Sequence, residues 1–291
     1  TVMSGHKDRR YDRLKNTHVN QYLGPLINHE MNRCIACYRC VRYYDDYAGG
    51  TDLAAMGSHD HVYFGRHEDG MLESEFAGNL VEVCPTGVFT DKSLVNDYTR
   101  KWDLQSAPSI CTSCAVGCNT SPGERYGRLK RVHNRYHHEV NGYFLCDRGR
   151  FGGAFVNSPD RLMSAGAKQV DGVFEPISHG DAVARLQELC GTPDGLYAIG
   201  SPRASLESNW MLQTLVGAEQ FSAGLGLEES AVNAVVAALQ DGGVATATLP
   251  EVEAADLVII LGEDVTQTAP RVALALRQSV RNEGIEQAAA I

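Results

Sequence analysis

The sequence lacks any uninterrupted apolar run near the roughly 20 residues that a membrane-spanning helix requires. Its best candidate, 257–261, has the length and composition of a buried strand. No basic segment followed by an apolar segment opens the chain, so the pattern of a secretory signal is missing. The chain starts with Thr1 and stops inside a helical pattern. We therefore expect it to be a piece of a larger protein.

Motifs for nucleotide binding are also missing. No GxGxxG follows a predicted strand and no P-loop is present, so nothing in the sequence favours NADH or ATP binding. Basic residues are scarce in the second half. Residues 151–291 hold 7 Lys and Arg against 18 Asp and Glu, whereas residues 1–150 hold 19 against 18. This acidic balance, without a base-reading motif, argues against a nucleic-acid partner.

Cysteine is the residue that is present in an informative pattern. Eight of the nine cysteines form two groups of four, and each group has three closely spaced members and one distant member. A [4Fe–4S] cluster needs four thiolates, and a short loop can supply three of them. The sequence therefore predicts two such clusters, each held by its own group. The first group is Cys34, Cys37, Cys40 and Cys84, and the second group is Cys111, Cys114, Cys118 and Cys146.

Two other interpretations of the cysteines remain open. Structural zinc sites with four cysteines usually combine two CxxC pairs, whereas neither Cys84 nor Cys146 has a neighbouring cysteine. A disulfide framework is typical of short secreted chains, and a chain of 291 residues can build a core without it. Pro85 directly follows Cys84, and ferredoxin cluster motifs end in the same Cys-Pro pair.

The ninth cysteine and three histidines are not predicted to be ligands. Cys190 ends an amphipathic helical pattern, where a cysteine usually acts as a small hydrophobic residue. His133, His137 and His138 lie near the second group, but four thiolates already complete that site. We interpret these histidines as polar surface residues.

Three regions are predicted along the chain. Residues 1–104 would form the first cluster domain, with a helix over 34–47 that carries three cysteines. Residues 105–163 would form a small second cluster domain, in which 127–132 alternates like a strand of a small sheet. Residues 164–291 would form a partial α/β domain.

The third region shows alternating strand and helix patterns. Residues 195–200 and 256–262 are typical of buried strands, and each precedes a helical pattern. The first helix would begin after Ser205 as its N-cap, and the second would cover about 269–282. This order predicts a parallel layer. The fold class expected for the whole chain is multidomain, α/β and α+β, with iron–sulfur domains followed by the parallel layer.

With these residues identified, the chain resembles the large iron–sulfur subunit of bacterial NADH:quinone oxidoreductase, respiratory complex I. The resemblance is carried by the segments 4–10, 32–42 and 78–87. It implies that the first group binds a cluster on the electron path from flavin to quinone. The second group resembles an additional cluster that some bacterial forms retain beside that path, where its role can be structural.

The part from Trp102 onward also resembles the molybdopterin oxidoreductases, in which a [4Fe–4S] domain precedes α/β pterin-binding domains. Those enzymes usually have a lysine after the fourth cysteine, whereas Asp147 and Arg148 follow Cys146 here. The stretch 220–226, where they place a metal ligand, has no cysteine, and Ser222 is a poor substitute. The resemblance therefore implies a vestigial pterin-binding fold without molybdenum.

The resemblance also implies partners and further clusters. A flavin- and NADH-binding subunit would supply electrons, and other iron–sulfur subunits would carry them towards quinone. The parent protein would hold a [2Fe–2S] cluster and one more [4Fe–4S] cluster in an upstream region, and His6 is not assigned to either. No bond-making catalytic residue is expected on this chain. The implied location is the peripheral arm, on the cytoplasmic side of the bacterial inner membrane.

Three alternative functions follow from the same residues. One is a molybdopterin-dependent oxidoreductase of the formate dehydrogenase kind, and another is the electron-input subunit of an NAD-reducing hydrogenase. A zinc-stabilised scaffold without redox activity is the third. Molybdenum content would favour the first, and a colourless protein would favour the last.

Overall fold

The computed structural model of the chain describes Asp12 and residues 16–169, 172–191, 195–243 and 245–290. The strands are short. In chain order they are β1 (Ile27–His29), β2 (Ala54–Met56), β3 (Tyr63–Gly65), β4 (Phe89–Asp91), β5 (Gln105–Ser106), β6 (Ser109–Ile110), β7 (Asn119–Arg125), β8 (Arg128–Asn134), β9 (Gly166–Lys168), β10 (Phe174–Pro176), β11 (Ala198–Ile199) and β12 (Phe221–Ser222).

The longest helices lie in the second half of the chain. In chain order the helices are α1 (Arg39–Val41), α2 (Leu80–Val83), α3 (Lys92–Asn96), α4 (Asp147–Phe151), α5 (His179–Cys190), α6 (Leu206–Val216), α7 (Glu229–Gln240), α8 (Leu249–Glu253), α9 (Val265–Thr268) and α10 (Pro270–Ala289). A π-helical segment, Arg42–Tyr47, continues α1. The mixture of helices and sheets agrees with the predicted fold class at this coarse level.

The chain divides into two structural units. The first consists of residues 1–154 together with 249–291, and the second consists of residues 155–248. Both cysteine quartets lie in the first unit. Its sequence is therefore discontinuous, because the last 43 residues, 249–291, join the unit that the first 154 begin.

The hydrophobic core of the first unit is built around two antiparallel strand pairs, β1 with β4 and β2 with β3. The strands are only three residues long, so they bury little surface by themselves. Large side chains fill the core. The largest of these fully buried side chains are those of Tyr44, Phe64, Phe76, Phe89 and Ile27. Cys40, Cys146 and Leu274 are members of the same core. The cysteine segments and the last helix therefore share one apolar interior.

A four-stranded antiparallel sheet forms the rest of the first unit before α4. Strand β7 lies in its middle and pairs with β5, β6 and β8. The β7–β8 hairpin turns at Tyr126 and Gly127, whose φ angles of 57° and 72° are those of a type I′ turn. The strand that the sequence predicts over 127–132 is confirmed as β8.

Helix α10 fixes the end of the chain to the first unit. Pro270 occupies its first turn, where a missing N–H costs nothing. Leu274 and Ala275 are buried, the Arg277 Nη1 atom lies 2.6 Å from Glu75 Oε1, and Gln278 Nε2 donates to the Tyr47 carbonyl at 2.8 Å. The helix predicted over 269–282 is confirmed and extends to Ala289.

The second unit contains the antiparallel pair β9–β10 and the parallel pair β11–β12, with α6 between the two parallel strands. Ser205 caps α6 as the sequence predicts, because its hydroxyl accepts a hydrogen bond from the Ser208 N–H at 3.1 Å. The strand predicted over 195–200 is reduced to Ala198–Ile199. Its parallel partner is Phe221–Ser222.

The strand predicted over 256–262 is wrong. Within the part of the chain that the structure describes, these residues pair with no strand, and Leu257 and Leu261 are 80% and 85% exposed. The apolar pattern of a strand gives extended structure only where a neighbour can pair its N–H and C=O groups. No such neighbour lies beside this segment among the described residues.

Candidate iron–sulfur sites

The loop with the first three cysteines is folded tightly by two left-handed residues. Cys34 has extended backbone angles, and Ala36 and Tyr38 have φ values of 54° and 61°. Helical structure begins only at Arg39, so the helix predicted over 34–47 is wrong in its first part. A continuous helix would spread Cys34, Cys37 and Cys40 over about 9 Å along its axis. The left-handed residues curl the loop instead.

The fourth cysteine of the first quartet follows α2 directly. The chain becomes extended at Cys84, and Gly87 turns it towards β4 with a φ of 73°. Burial acts to raise the pKa of the Cys84 thiol, but hydrogen bonds from the backbone N–H groups of Phe89, Thr86 and Val88 outweigh it, and the pKa is lowered. The turn is therefore built to stabilise a thiolate at this position.

The four thiols of the first quartet line one pocket. Its other walls are mostly apolar. These wall residues are Ile35, Tyr38, Phe64, Pro85, Thr86, Val88 and Phe89. The Tyr38 ring meets Phe64 edge to face, with 4.9 Å between ring centroids.

The thiols of this pocket affect one another's pKa. Burial, and then the thiols of Cys34, Cys84 and Cys37, raise the pKa of Cys40 to about 12, although a backbone hydrogen bond opposes them. Burial is also the main cause of a raised pKa at Cys34. Cys37 is exposed and Cys40 is buried, so the quartet extends from the surface into the core. The structure therefore brings together all four cysteines that the spacing groups.

The loop of the second quartet is closed by a backbone hydrogen bond between its first and last cysteines. The Cys111 N–H donates to the Cys118 carbonyl at 2.8 Å, where β6 and β7 pair. Gly117, with a φ of 65°, makes the turn immediately before Cys118. The ends of this loop are thus anchored in the four-stranded sheet.

Cys146 supplies the fourth thiol and also begins α4. Its Sγ accepts a hydrogen bond from the Gly149 N–H at 3.4 Å, as an N-cap does. A Cβ atom added at Gly149 would lie 3.4 Å from Cys111 Sγ and 3.6 Å from Cys146 Sγ. Gly149 therefore leaves space free beside two sulfurs of the quartet.

The second quartet is more deeply buried than the first. Cys118 and Cys146 are 6% and 8% exposed. Burial and the neighbouring thiols raise the pKa of Cys118 to about 12, and burial is the main cause that raises the pKa of Cys146 to about 11. Free thiolates are disfavoured at these positions. A bound cation or metal cluster would reverse this preference, because a coordinated thiol is deprotonated.

The histidines near the second quartet contact other side chains. His133 Nδ1 lies 2.8 Å from Glu82 Oε1, and the rings of His137 and His138 stack with 5.8 Å between centroids. Cys190 is half-buried at the end of α5. Ser222 lies in β12, and His6 lies outside the described residues.

Sequence reasoning missed the contact between the segment that precedes Cys84 and the segment that surrounds Cys146. Asn79, which is fully buried, exchanges hydrogen bonds with the Leu145 backbone at 2.7 and 3.2 Å. These two residues are 66 positions apart, and no periodicity in the sequence relates them. This joint places the two quartets in one unit.

The arrangement of the side chains does not match a site for a single metal ion. Within residues 16–169 and the other described ranges, no three His, Cys, Asp or Glu side chains are arranged to hold one ion.

Two protein-family models match this chain. "NADH-quinone oxidoreductase subunit 3, ferredoxin-like domain" matches residues 24–90, and "Molybdopterin oxidoreductase Fe4S4 domain" matches residues 104–158. Each match contains one complete quartet and no cysteine of the other. The chain thus carries two successive regions of iron–sulfur type.

Curated relatives match the chain from end to end. The G subunit of NADH-quinone oxidoreductase from Shewanella oneidensis is 58% identical over 289 residues, which is 99% of this chain and 32% of that protein. The proteins with the same name from Salmonella typhimurium and Escherichia coli are 56% identical over 291 residues, again 32% of each. The resemblance to the large iron–sulfur subunit that the sequence predicts is confirmed by these matches. The chain spans about a third of the length of these relatives.

Among the described residues, no helix is both long and apolar enough to cross a membrane. The longest helix, α10, carries charged side chains such as Arg271 and Arg277.

Proposed function

We propose that this chain holds two [4Fe–4S] clusters and relays single electrons, with the first cluster on the electron path. The thiolates of Cys34, Cys37, Cys40 and Cys84 would hold the first cluster, and those of Cys111, Cys114, Cys118 and Cys146 would hold the second. The observation that carries the proposal is the agreement between the family matches and the structure. Each match encloses one quartet, and the structure gathers the thiols of each quartet around one place.

The residues around the first quartet suit such a cluster. The backbone N–H groups of Thr86, Val88 and Phe89 face the Cys84 sulfur, and the Ala36 N–H donates to the Cys34 sulfur at 3.3 Å. Hydrogen bonds to sulfur are among the protein's means of adjusting a cluster's reduction potential. The apolar pocket walls lower the local dielectric, which adds to that control.

The second quartet suits a cluster for a different reason. Gly149 presents no side chain to the sulfurs of Cys111 and Cys146, and its N–H donates to one of them. Burial of Cys118 and Cys146 removes water from the site, so the sulfurs would be shielded once they are ligated. Both sites therefore provide four thiols and N–H donors to sulfur.

When bound, an iron–sulfur cluster accepts and releases one electron at a time without forming or breaking a substrate bond. The chain's own residues would fix the cluster positions, exclude water and donate hydrogen bonds to sulfur. Substrate chemistry would take place on partners, namely a flavin- and NADH-binding subunit on the input side and further iron–sulfur subunits towards quinone. The location that fits this role is the peripheral arm, on the cytoplasmic side of the bacterial inner membrane.

We propose that residues 1–104 and 105–163 are the two cluster domains and that 164–291 is a vestige of a pterin-binding domain without molybdenum. The stretch 220–226 offers no cysteine to a metal. The parallel pair β11–β12 around α6 supports an α/β origin for this part of the chain.

The proposal is tested by following electrons from NADH in the assembled complex. EPR of rapidly frozen samples should show a first-cluster signal after NADH is added under argon. Cys40→Ala should abolish this signal and the quinone reduction that depends on it. Cys118→Ala removes a buried ligand of the other quartet and is the matched variant.

Cys118→Ala should leave NADH-driven reduction of the first cluster intact, since the second cluster would lie beside the path. Quinone reduction that survives Cys40→Ala unchanged would contradict the relay. Molybdenum in stoichiometric amount would instead support an enzyme of the molybdopterin class. Zinc without iron would support a scaffold.

A further inference from the structure

The segment before Cys84 and the segment around Cys146 are joined by a continuous set of hydrogen bonds. The Asp147 N–H donates to the Glu75 carbonyl at 2.7 Å, and the Gly78 N–H donates to Asp147 Oδ1 at 2.6 Å. Asn79 adds its two bonds to the backbone of Leu145. The joint therefore runs along both segments for several residues.

Arg150 completes this joint with a buried cation. Its side chain is only 1% exposed, and it lies four residues after Cys146, in α4. Nη1 donates to Glu82 Oε1 at 2.9 Å, while Nη2 donates to Glu82 Oε2 at 3.1 Å and to Asn79 Oδ1 at 2.8 Å. One guanidinium thus binds two residues of the segment that precedes Cys84.

Both residues that Arg150 binds lie shortly before Cys84 in the chain. Glu82 lies on α2, and Asn79 immediately precedes that helix, which ends one residue before Cys84. A shift or rotation of α2 would therefore move Cys84 directly. The guanidinium that fixes α2 comes from the segment of the other quartet.

We infer that Arg150 is a positioning residue for Cys84, and hence for the first cluster, although it lies in the segment of the second quartet. This inference rests on the proposed function, since it assumes that the first quartet holds a cluster. Arg150 donates to no cysteine sulfur in the described contacts. It acts through Glu82 and Asn79.

An arginine is required at this place because its planar fork makes all three bonds together. A lysine would keep the charge but could not bridge the carboxylate and the amide with fixed geometry. Removal of the arginine would leave the Glu82 carboxylate, whose side chain is 27% exposed, with His133 as its hydrogen-bonded partner. Such a carboxylate draws water or rearranges, and α2 would move with it.

The test compares Arg150→Met with Arg148→Met in the full chain, purified without oxygen. Both changes remove one arginine from α4, but Arg148 is exposed and Arg150 is buried. Cys37→Ala and Cys114→Ala supply reference EPR spectra that assign each signal to its quartet. The measurement is the chelator concentration that removes half of each signal, together with the midpoint potential of each cluster.

We expect Arg150→Met to lower that chelator concentration for the first cluster by about 10-fold or more, the usual cost of losing a residue that orients a metal ligand. The second cluster and both clusters of Arg148→Met should keep their wild-type values. Arg150→Lys should assemble both clusters but still leave the first one chelator-sensitive and shift its potential. This variant provides the test if Arg150→Met fails to fold.

A double variant separates positioning from general destabilisation. Glu82→Gln combined with Arg150→Met leaves no unpaired carboxylate, so it should recover much of the first cluster's resistance. The inference would be overturned if the first cluster lost equal chelator resistance in the single and double variants. It would also be overturned if Arg150→Met weakened both clusters equally, weakened only the second cluster, or weakened neither. A wild-type chain without iron would instead refute the proposed function.

Discussion

The two quartets lie in one structural unit, but they are built differently. The first extends from the surface, at Cys37, into the main hydrophobic core, at Cys40. The second has two buried thiols, Cys118 and Cys146, and its loop is anchored in a small sheet. The first loop needs left-handed residues that are not glycine, Ala36 and Tyr38, whereas the second turns at Gly117.

The difference indicates how each site would control its cluster. At Cys84 several backbone N–H groups lower the pKa of the thiol, whereas burial raises the pKa of Cys118 and Cys146. Burial also raises the pKa of Cys34 and Cys40, so Cys84 is the thiol of the first site whose backbone contacts favour a thiolate. The first site is reachable from outside at Cys37, whereas the thiols of the second are buried or half-buried.

The largest expected effect comes from removing a ligand of one quartet only. Cys34→Ala should reduce the iron content from about eight to about four atoms per chain and abolish the first-cluster EPR signal. It should also destabilise the loop, since metal binding is coupled to folding. The second-cluster signal should persist. A full pair of signals in this variant would show that Cys34 is not a ligand.

The joint between the two regions can be broken without touching a thiol. A Cβ at Gly78 would lie 2.5 Å from Phe151 Cε2 and 2.7 Å from Asp147 Oδ1. Gly78→Ala should therefore lower the free energy of unfolding by about 1–3 kcal/mol, as overpacking does. Urea unfolding under argon measures this change.

Gly284→Ala is the matched control for that prediction. It lies in α10, and an added Cβ would meet no described atom within 4 Å. The same substitution should be neutral there or stabilise by up to about 1 kcal/mol. Equal unfolding midpoints for the two variants would contradict the close packing at the joint.

Acid should weaken the region of the first quartet through His29. This residue lies in β1, opposite Phe89 of β4, and is 2% exposed. Burial lowers its pKa below the usual 6.5, although a hydrogen bond to the backbone of Phe64 opposes the shift. The unfolded chain therefore binds a proton first, and stability should fall as the pH drops from about 6.5 towards the folded-state pKa.

His29→Gln should flatten the pH dependence in that range, measured as the urea midpoint between pH 7.5 and 5.5. The slope is the quantity to compare, because a substitution in the core also changes stability equally at every pH. An unchanged slope would show that another group controls the acid sensitivity.

The smallest effect is expected outside both quartets. Cys190→Ser changes a half-buried residue at the end of α5 and should leave iron, sulfide and both EPR signals at wild-type levels. The free energy of unfolding should change by no more than about 0.5 kcal/mol. A loss of iron would place Cys190 among the ligands and reopen the grouping of the cysteines.

Local patterns in the sequence predicted a good part of this structure. The alternation over 127–132 gave β8, the cap at Ser205 gave the start of α6, and the spacing of eight cysteines gave the two groups of thiols that lie together. These features depend on residues that are close in sequence or on a residue type that is rare.

Features that depend on distant partners could not be predicted in this way. The segment 256–262 has the composition of a strand but no pairing strand among the described residues. The helical pattern over 34–47 did not indicate the left-handed residues Ala36 and Tyr38. The contact of Arg150 with Glu82 joins residues 68 positions apart. Periodicity carries no information about such pairs.

The central claim, two [4Fe–4S] clusters on this chain, is tested most directly by metal and sulfide analysis of an anaerobically purified sample with EPR of its reduced form. The account predicts about eight irons and eight sulfides per chain, no molybdenum, and two cluster signals. About four irons would leave one quartet empty. Zinc without iron or sulfide in a fresh sample would contradict the account.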